Sequence, residues 1–241
     1  MAQSPPDEKF DEKVKHICQL YQQAIEIESR QEIVVSIDEM TGIQAKQRQS
    51  LDKPMKPGQP LKREFEYVRH GTQTLIASFD VGSGKILHES IGQTRTEADF
   101  LAHLQQMIQA NPKIVKWHLV MDCLNIHQSE SLVRSIAQTE NISNVALGKK
   151  GQSGILQSMK TRAKFLSDSQ HQIVFNYTPK HCSWLNQIEI WFSVLMRKLL
   201  KRSSFNSRGD LAASILDFIA YYNDKMAKPF KWTYKGKVLT V

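Results

Sequence analysis

Apolar positions along this chain follow two alternating periods, and the period assigns most of its elements. Phe10, Val14, Ile17, Tyr21, Ala24 and Ile25 recur at helical spacing and predict an amphipathic helix over residues 7–28. "EIVVSIDEMTG" follows as a short β-branched run closed by Thr-Gly, the pattern of a buried strand. Three prolines and a glycine make "SLDKPMKPGQPLKR" a loop. "EFEYVRHGTQTLIASFDVGSGKILHESIG" reads as two or three antiparallel strands, with Gly82 and Gly84 in a tight turn. Thr96 is an N-cap for a helix that ends at Asn111-Pro112.

Beyond that helix, strand and helix alternate: strand "KIVKWHLVMD", helix "SESLVRSIAQTE", strand "QIVFNYTP". A helix then carries a stripe of Leu185, Ile188, Phe192, Leu195 and Leu199, and a last one, "SRGDLAASILDFIAYYND", is capped near Ser207. A leading antiparallel set followed by βαβ units implies an α/β fold, with one mixed sheet flanked by helices on both faces. Residues 1–30 read as an N-terminal helix or arm, 31–224 as the main domain with a basic insertion near 146–170, and 225–241 as a basic tail.

Charge narrows the partner. With 32 basic against 24 acidic residues the net charge is +8, which makes nucleic acid the default candidate. The excess is concentrated: Lys149, Lys150, Lys160, Arg162 and Lys164 in one run, Arg197, Lys198, Lys201 and Arg202 in another. Lys231, Lys235 and Lys237 flank Trp232 and Tyr234 in a C-terminal run that has no acid. No apolar run has the length of a membrane span, and the polar, acidic N-terminus is neither a signal peptide nor a mitochondrial leader. Three widely spaced cysteines suit a reducing cytoplasm rather than a disulfide framework.

Three acids stand where chemistry is expected. Asp38 closes "VVSID" and Asp122 closes "HLVMD", both at the ends of buried strands, where sites form in such sheets. Each has a plainer reading as the cap of a following turn. Glu189 lies at the margin of an apolar helical stripe, where a lone carboxylate needs a partner or a task. If the two strands are neighbours, about 4.8 Å apart, their carboxylates converge and the helix can deliver Glu189 against them. Three such carboxylates repel unless a cation joins them, and an all-oxygen set selects Mg²⁺ or Mn²⁺; a pair of ions serves phosphodiester chemistry.

Other acids fit this less well. Glu39 points to the opposite side of the strand from Asp38, Asp80 suits a hairpin turn, and Asp99 suits the first turn of a helix. His127, five residues after Asp122, reads as a phosphate contact, a ligand-orienting group or a structural histidine. A zinc site from His118, His127, Cys123 and Cys182 has no recognised spacing.

The segments "SIDEMTGIQA", "MKPG", "YVRHGTQTLIASFDVGSGKI", "LVMDCLNIHQSE", "YTPKHCSWLNQIEIWFS" and "KPFKWTYKGK" together resemble the catalytic domain of bacterial insertion-sequence transposases of the insertion sequence 630 family, relatives of the mariner-like elements. The resemblance runs from about Val14 to about Lys237 and implies a ribonuclease-H-like fold with a DDE triad of Asp38, Asp122 and Glu189. It implies two Mg²⁺ or Mn²⁺ ions, cleavage of double-stranded DNA at an element's ends, and attack of the freed 3′-hydroxyl on target DNA. A homo-oligomeric synaptic complex and a location at the bacterial nucleoid belong to the same expectation.

Three departures are visible. Cys123 follows Asp122 where the family commonly has Asn, so Asn125 is the alternative supporting residue, with Asn186 beside the third acid. The Asp122–Glu189 gap of 67 positions is longer than in mariner-like relatives. Only about 30 residues precede the first strand, and no helix-turn-helix module is found in them. The chain therefore reads as a catalytic half: a second reading frame, a truncated copy or an excised piece, with a separate helix-turn-helix polypeptide as a candidate partner. A decayed or domesticated copy that binds DNA without cutting is the alternative to an active enzyme.

Overall fold

A computed structural model describes residues 9–50, 53–60, 66–201 and 203–234, with the side chains of residues 144 and 145 outside that description. Five strands form one sheet in the order β3-β2-β1-β4-β5. They are β1 (Glu32–Arg48), β2 (Tyr67–Asp80), β3 (Ile86–Gly92), β4 (Lys116–Met121) and β5 (Ile173–Tyr177). The β1–β2 and β2–β3 pairs are antiparallel, whereas β1–β4 and β4–β5 are parallel.

Alternation along the strands sorts the core into two halves. On one face, Val34, Leu75, Ala77, Phe79 and Val120 pack under α1 (Phe10–Glu28), α6 (Ile188–Leu195) and α7 (Arg208–Lys225). On the other, Ile33, Val35, Ile37, Leu119 and Phe175 pack under α2 (Glu97–Ala110), α3 (Glu130–Thr139), α4 (Asn144–Leu147) and α5 (Met159–Leu166). Side-chain caps fix several helix starts, those at Thr96 and Ser207 as the sequence predicts. Thr96 and Asp99 form a reciprocal capping box on α2, Ser129 caps α3 and Ser207 caps α7. The Asp80 carboxylate accepts the Gly82 N–H in the β2–β3 turn, where Gly84 takes φ +74°.

Two expectations about elements are corrected. Thr41-Gly42 does not close the first strand: the chain continues to Arg48, and the register against β2 shifts between Met40 and Ile43. Gly42, at φ +66°, supplies the left-handed residue of this bulge, so the strand bends there instead of ending. Nor is the stripe from Leu185 to Leu199 one α-helix. Leu185 belongs to a separate 3₁₀ turn, Ser183–Leu185, and Asn186 is extended before α6 begins. Beyond Leu195 the helix widens into a π-helical turn, Met196–Leu200.

Both ends of the described chain pack onto this core. In α1, Ile17, Leu20, Tyr21 and Ala24 are buried in the same cluster as α6 and α7. Past α7, Phe230 stacks on Phe79 with ring centres 4.9 Å apart, and Trp232 meets Tyr21 edge-on at 5.0 Å. No helix among the described residues is long and apolar enough to cross a membrane.

Candidate active site

Parallel pairing of β1 with β4 sets the site. Its last pair is Ser36 with Val120, and two residues further along each chain come Asp38 and Asp122. β4 ends at Met121, and β1 runs on, paired only with β2, so a crevice opens where the two chains part. Asp38 therefore lies at the end of the parallel pairing, inside a longer strand, and not at a strand end.

Alternation sends Ser36 and Asp38 toward α6, where a polar cluster fastens the two elements. Ser36 Oγ accepts the Ile188 N–H at 2.9 Å and donates to Asn186 Oδ1. Asn186 Nδ2 donates to the Ile37 carbonyl at 2.9 Å and to Asp38 Oδ2 at 3.2 Å. Ser36 and Asn186 are fully buried, so these bonds answer groups that water cannot reach. Glu189 follows in the first turn of α6, half-buried and within range of the Asp122 charge.

The carboxyl groups are electrostatically unlike. Burial raises the Asp38 pKa to about 7, with the charges of Glu39 and Asp122 adding to the effect against a bond from the Glu39 N–H. Burial and the Asp122 charge also hold Glu189 above the usual carboxylate range. For Asp122, burial opposes ionisation but is outweighed by His127 and by the Leu124 N–H, so its pKa is lowered. Burial thus works against ionisation at Asp38 and Glu189, and at Asp122 it is overcome by His127.

His127 is the residue whose place the sequence left open. It sits in a 3₁₀ turn, Asn125–Gln128, fully buried against the Phe100 ring at 4.6 Å. Nδ1 donates to Asp122 Oδ1 at 2.8 Å and Nε2 donates to Glu39 Oε1 at 2.9 Å. Burial lowers the imidazole pKa, but the two carboxylates overcome this and raise it to about 10. Glu39 is thus on the opposite face from Asp38, as alternation requires, yet it is joined to the site through the histidine. A buried acid beside Asp38 and a histidine five residues after Asp122 are the signal that could have linked them. Asn125, by contrast, is exposed at the start of that turn.

Oxygen donors of this kind suit a hard divalent cation. Both hydrogen bonds to the Asp122 carboxylate fall on Oδ1, and its side chain keeps 36% of its exposure; among the described residues no hydrogen bond reaches Oδ2. That leaves one oxygen of a partly exposed carboxylate, whose charge acts on Asp38, without a hydrogen bond, an oxygen of the kind Mg²⁺ or Mn²⁺ takes. Among the described residues no three His, Cys, Asp or Glu side chains are gathered closely enough to hold a metal as they stand, and this includes the His118, His127, Cys123 and Cys182 set. His118 instead pairs with Glu32 at 3.0 Å.

Of the basic residues singled out in the sequence, Lys149, Lys150, Lys160, Lys164, Arg197, Lys198, Lys201 and Lys231 are exposed. Lys150 also lies 3.5 Å from Glu130, and Arg197 donates to the Ser193 carbonyl. Arg162 corrects the expectation. It is buried, its Nε donates to the Gln128 carbonyl at 2.6 Å and its Nη1 to the Leu156 carbonyl at 3.3 Å. Its task is to clamp the turn that carries His127, because its position on α5 faces inward. Arg202, Lys235 and Lys237 lie outside the described residues.

Comparison with known proteins agrees with this geometry. A family model described as DDE superfamily endonuclease matches residues 33–212. No curated protein sequence matches the chain. Among solved structures, the Mos1 transposase paired-end complex with left transposon end is 15% identical, with a TM-score of 0.54 over 91% of this chain and 57% of that one. The Mos1 mariner paired end complex with Mn is 16% identical, with a TM-score of 0.53 over 92% and 59%. The catalytic domain of Mos1 mariner transposase is 12% identical, with a TM-score of 0.51 over 91% and 85%. The chain thus spans less than two thirds of the first two structures and most of the third. The likeness shows the fold, a ribonuclease-H-like mixed sheet with helices on both faces.

Proposed function

The chain belongs to the DDE superfamily of endonucleases, and from that premise we propose that it is the catalytic part of a DNA transposase of the insertion sequence 630 type. The reading rests on one observation: the parallel register brings Asp38 level with Asp122, while Asn186 fastens the start of the Glu189 helix to the Asp38 carboxylate. Asp38, Asp122 and Glu189 are the residues that would hold Mg²⁺ or Mn²⁺. Two bound ions would supply an activated oxygen nucleophile and a counter-charge for the leaving oxygen.

The chain's own groups do the rest. Ser36 and Asn186 tie Asp38 to the first turn of α6, and the three carboxylates would draw together around a cation from there. The substrate is double-stranded DNA at an element's ends. Hydrolysis breaks one phosphodiester bond and frees a 3′-hydroxyl; that hydroxyl then attacks a target phosphodiester, forming one bond and releasing one 3′-oxygen. The exposed lysines and arginines along 149–164 and 197–201 supply phosphate contacts, which position DNA without reading it. A synaptic homo-oligomer and a helix-turn-helix polypeptide that reads the ends complete the proposal, and work on DNA assigns the chain to the nucleoid.

The test uses the purified chain with a labelled duplex bearing a free 3′-hydroxyl, a target plasmid, and Mg²⁺ or Mn²⁺. Strand-transfer product is expected from the wild type and not from Asp38→Asn, Asp122→Asn or Glu189→Gln. Metal-dependent cleavage without joining would reduce the reading to a nuclease. DNA binding with no cleavage under any of these conditions would favour a non-cutting copy.

A further inference from the structure

We propose that Glu39 and His127 form a positioning relay that turns the Asp122 carboxylate so that Oδ2 faces the reaction crevice. The inference rests on the catalytic reading above and extends it to two residues on the far face of the sheet. Both His127 and Glu39 side chains are wholly enclosed. The imidazole spans them: Nδ1 to Asp122 Oδ1 at 2.8 Å, Nε2 to Glu39 Oε1 at 2.9 Å. Each ring nitrogen lies within hydrogen-bond distance of a carboxylate oxygen, and the ring cannot turn without losing both bonds.

The relay is held at several other points. Tyr177 Oη donates to the His127 carbonyl at 2.7 Å, and Arg162 holds the next carbonyl, that of Gln128. Phe100 packs against the ring. Arg95 Nη1 stands 4.0 Å from Glu39 Oε2, a buried oxygen that has no hydrogen bond. A buried Glu–His pair is a poor device for stability alone, because the desolvation of two charges consumes much of their attraction. Its geometric effect here is specific. The histidine takes Oδ1 of Asp122 together with the Leu124 N–H, and the other oxygen is left to the crevice. Groups behind a metal ligand commonly set metal affinity in this way.

The discriminating measurement is Mn²⁺ affinity of the full chain, followed by the loss of the free-ion electron paramagnetic resonance signal, beside thermal unfolding of each variant. Glu39→Leu removes the anchor and should weaken Mn²⁺ binding about 10–100-fold. Glu39→Gln keeps an acceptor for Nε2 and should bind close to wild type. The pair His127→Asn with Glu39→Gln retains a donor near Asp122 but cannot reach residue 39, and leaves no unpaired buried charge. It should weaken binding like Glu39→Leu even where Glu39→Leu fails to fold. Wild-type affinity in Glu39→Leu or in the double variant, with only the melting temperature lowered, would overturn the relay alone. Binding by the wild type that Asp122→Asn leaves unchanged would overturn the catalytic reading, and the relay with it.

Discussion

Asn186 Nδ2 lies 3.2 Å from Asp38 Oδ2, although the two residues are 148 positions apart in the chain. The same amide holds the Ile37 carbonyl and receives the Ser36 hydroxyl, so with Ser36, which accepts the Ile188 N–H, it joins the central strand to the helix that carries Glu189. Asn186→Ala would strand a buried carbonyl and a buried hydroxyl. Each unsatisfied group costs about 1–3 kcal/mol. The expected outcome is a lower urea midpoint and a loss of strand transfer larger than the unfolded fraction explains, because Asp38 loses the amide that orients its carboxylate at the start of the Glu189 helix. Denaturation and activity measured on one preparation check this; a loss of activity that simply tracks unfolding would refute it.

The pH dependence of stability has a definite sign. Burial raises the Asp38 pKa to about 7 in the fold, so between about pH 4 and pH 7 the folded chain holds a proton that the unfolded chain has lost. This group's contribution is full below that window and disappears as pH rises through it. His127, raised to about 10, acts in the same direction at higher pH, while lowered Asp122 acts only in more acid solution. His103, whose pKa burial lowers to about 3, opposes this below about pH 6.5. The metal-free melting temperature should therefore fall most clearly from about pH 6 to pH 8, with a shallower fall in Asp38→Asn.

A divalent cation should reverse that trend, because it favours the ionised carboxylates. At a hundred times the dissociation constant the added stability is about 2.7 kcal/mol. The Mn²⁺-induced shift in melting temperature should grow with pH, vanish on chelation, and be absent in Asp122→Asn. A shift of equal size at pH 5 and pH 8 would show that the ion binds elsewhere.

Strand alternation made much of this site legible from the sequence alone. Asp38 and Glu39 had to face opposite ways, whereas the convergence of Asp38 and Asp122 was conditional on their strands being neighbours, which the β1–β4 pairing supplies. What stayed hidden has a common physical character: it depends on contacts between residues far apart in sequence. His127 could not be told from a surface histidine without Glu39 behind it. Arg162 looked like one more cation in a basic run, since only the packing of α5 shows which way it points. The stripe through Leu185 looked continuous because a 3₁₀ turn and an extended residue happen to preserve the helical spacing of apolar positions. Thr41-Gly42 looked like a strand end because a glycine bulge and a turn use the same residues.

Arg162 and its neighbours Lys160 and Lys164 should separate cleanly in a salt titration. Replacing the two exposed lysines with alanine should flatten the slope of log K against log salt by about 0.9 for each phosphate that is no longer neutralised. Their effect on stability should stay within about 0.5 kcal/mol. Arg162→Ala should do the opposite, lowering the melting temperature through the two carbonyls it releases and leaving the slope intact once the folded fraction is corrected. DNA-binding isotherms at several salt concentrations distinguish the two behaviours.

The C-terminal aromatic residues lead to the last prediction. Trp232 Nε1 donates to Cys18 Sγ at 3.3 Å and its ring meets Tyr21, whose hydroxyl donates to the Leu185 carbonyl at 2.8 Å. Leu185 precedes Asn186, so the chain end supports, through α1, the turn that delivers Glu189. Cys18 is buried and its thiol pKa is raised by that burial, which makes it a poor nucleophile in the intact fold. Trp232→Ala removes its cover. The expected cost is about 1.5–3 kcal/mol from lost apolar burial. Cys18 should then react with a thiol reagent at a markedly higher rate under native conditions, with Cys18→Ser in the same background as the control. Trp232→Phe should keep the ring packed on Tyr21, lose the bond to sulfur, and fall between the two. Unchanged Cys18 labelling in Trp232→Ala would mean that the indole does not cover this thiol in solution.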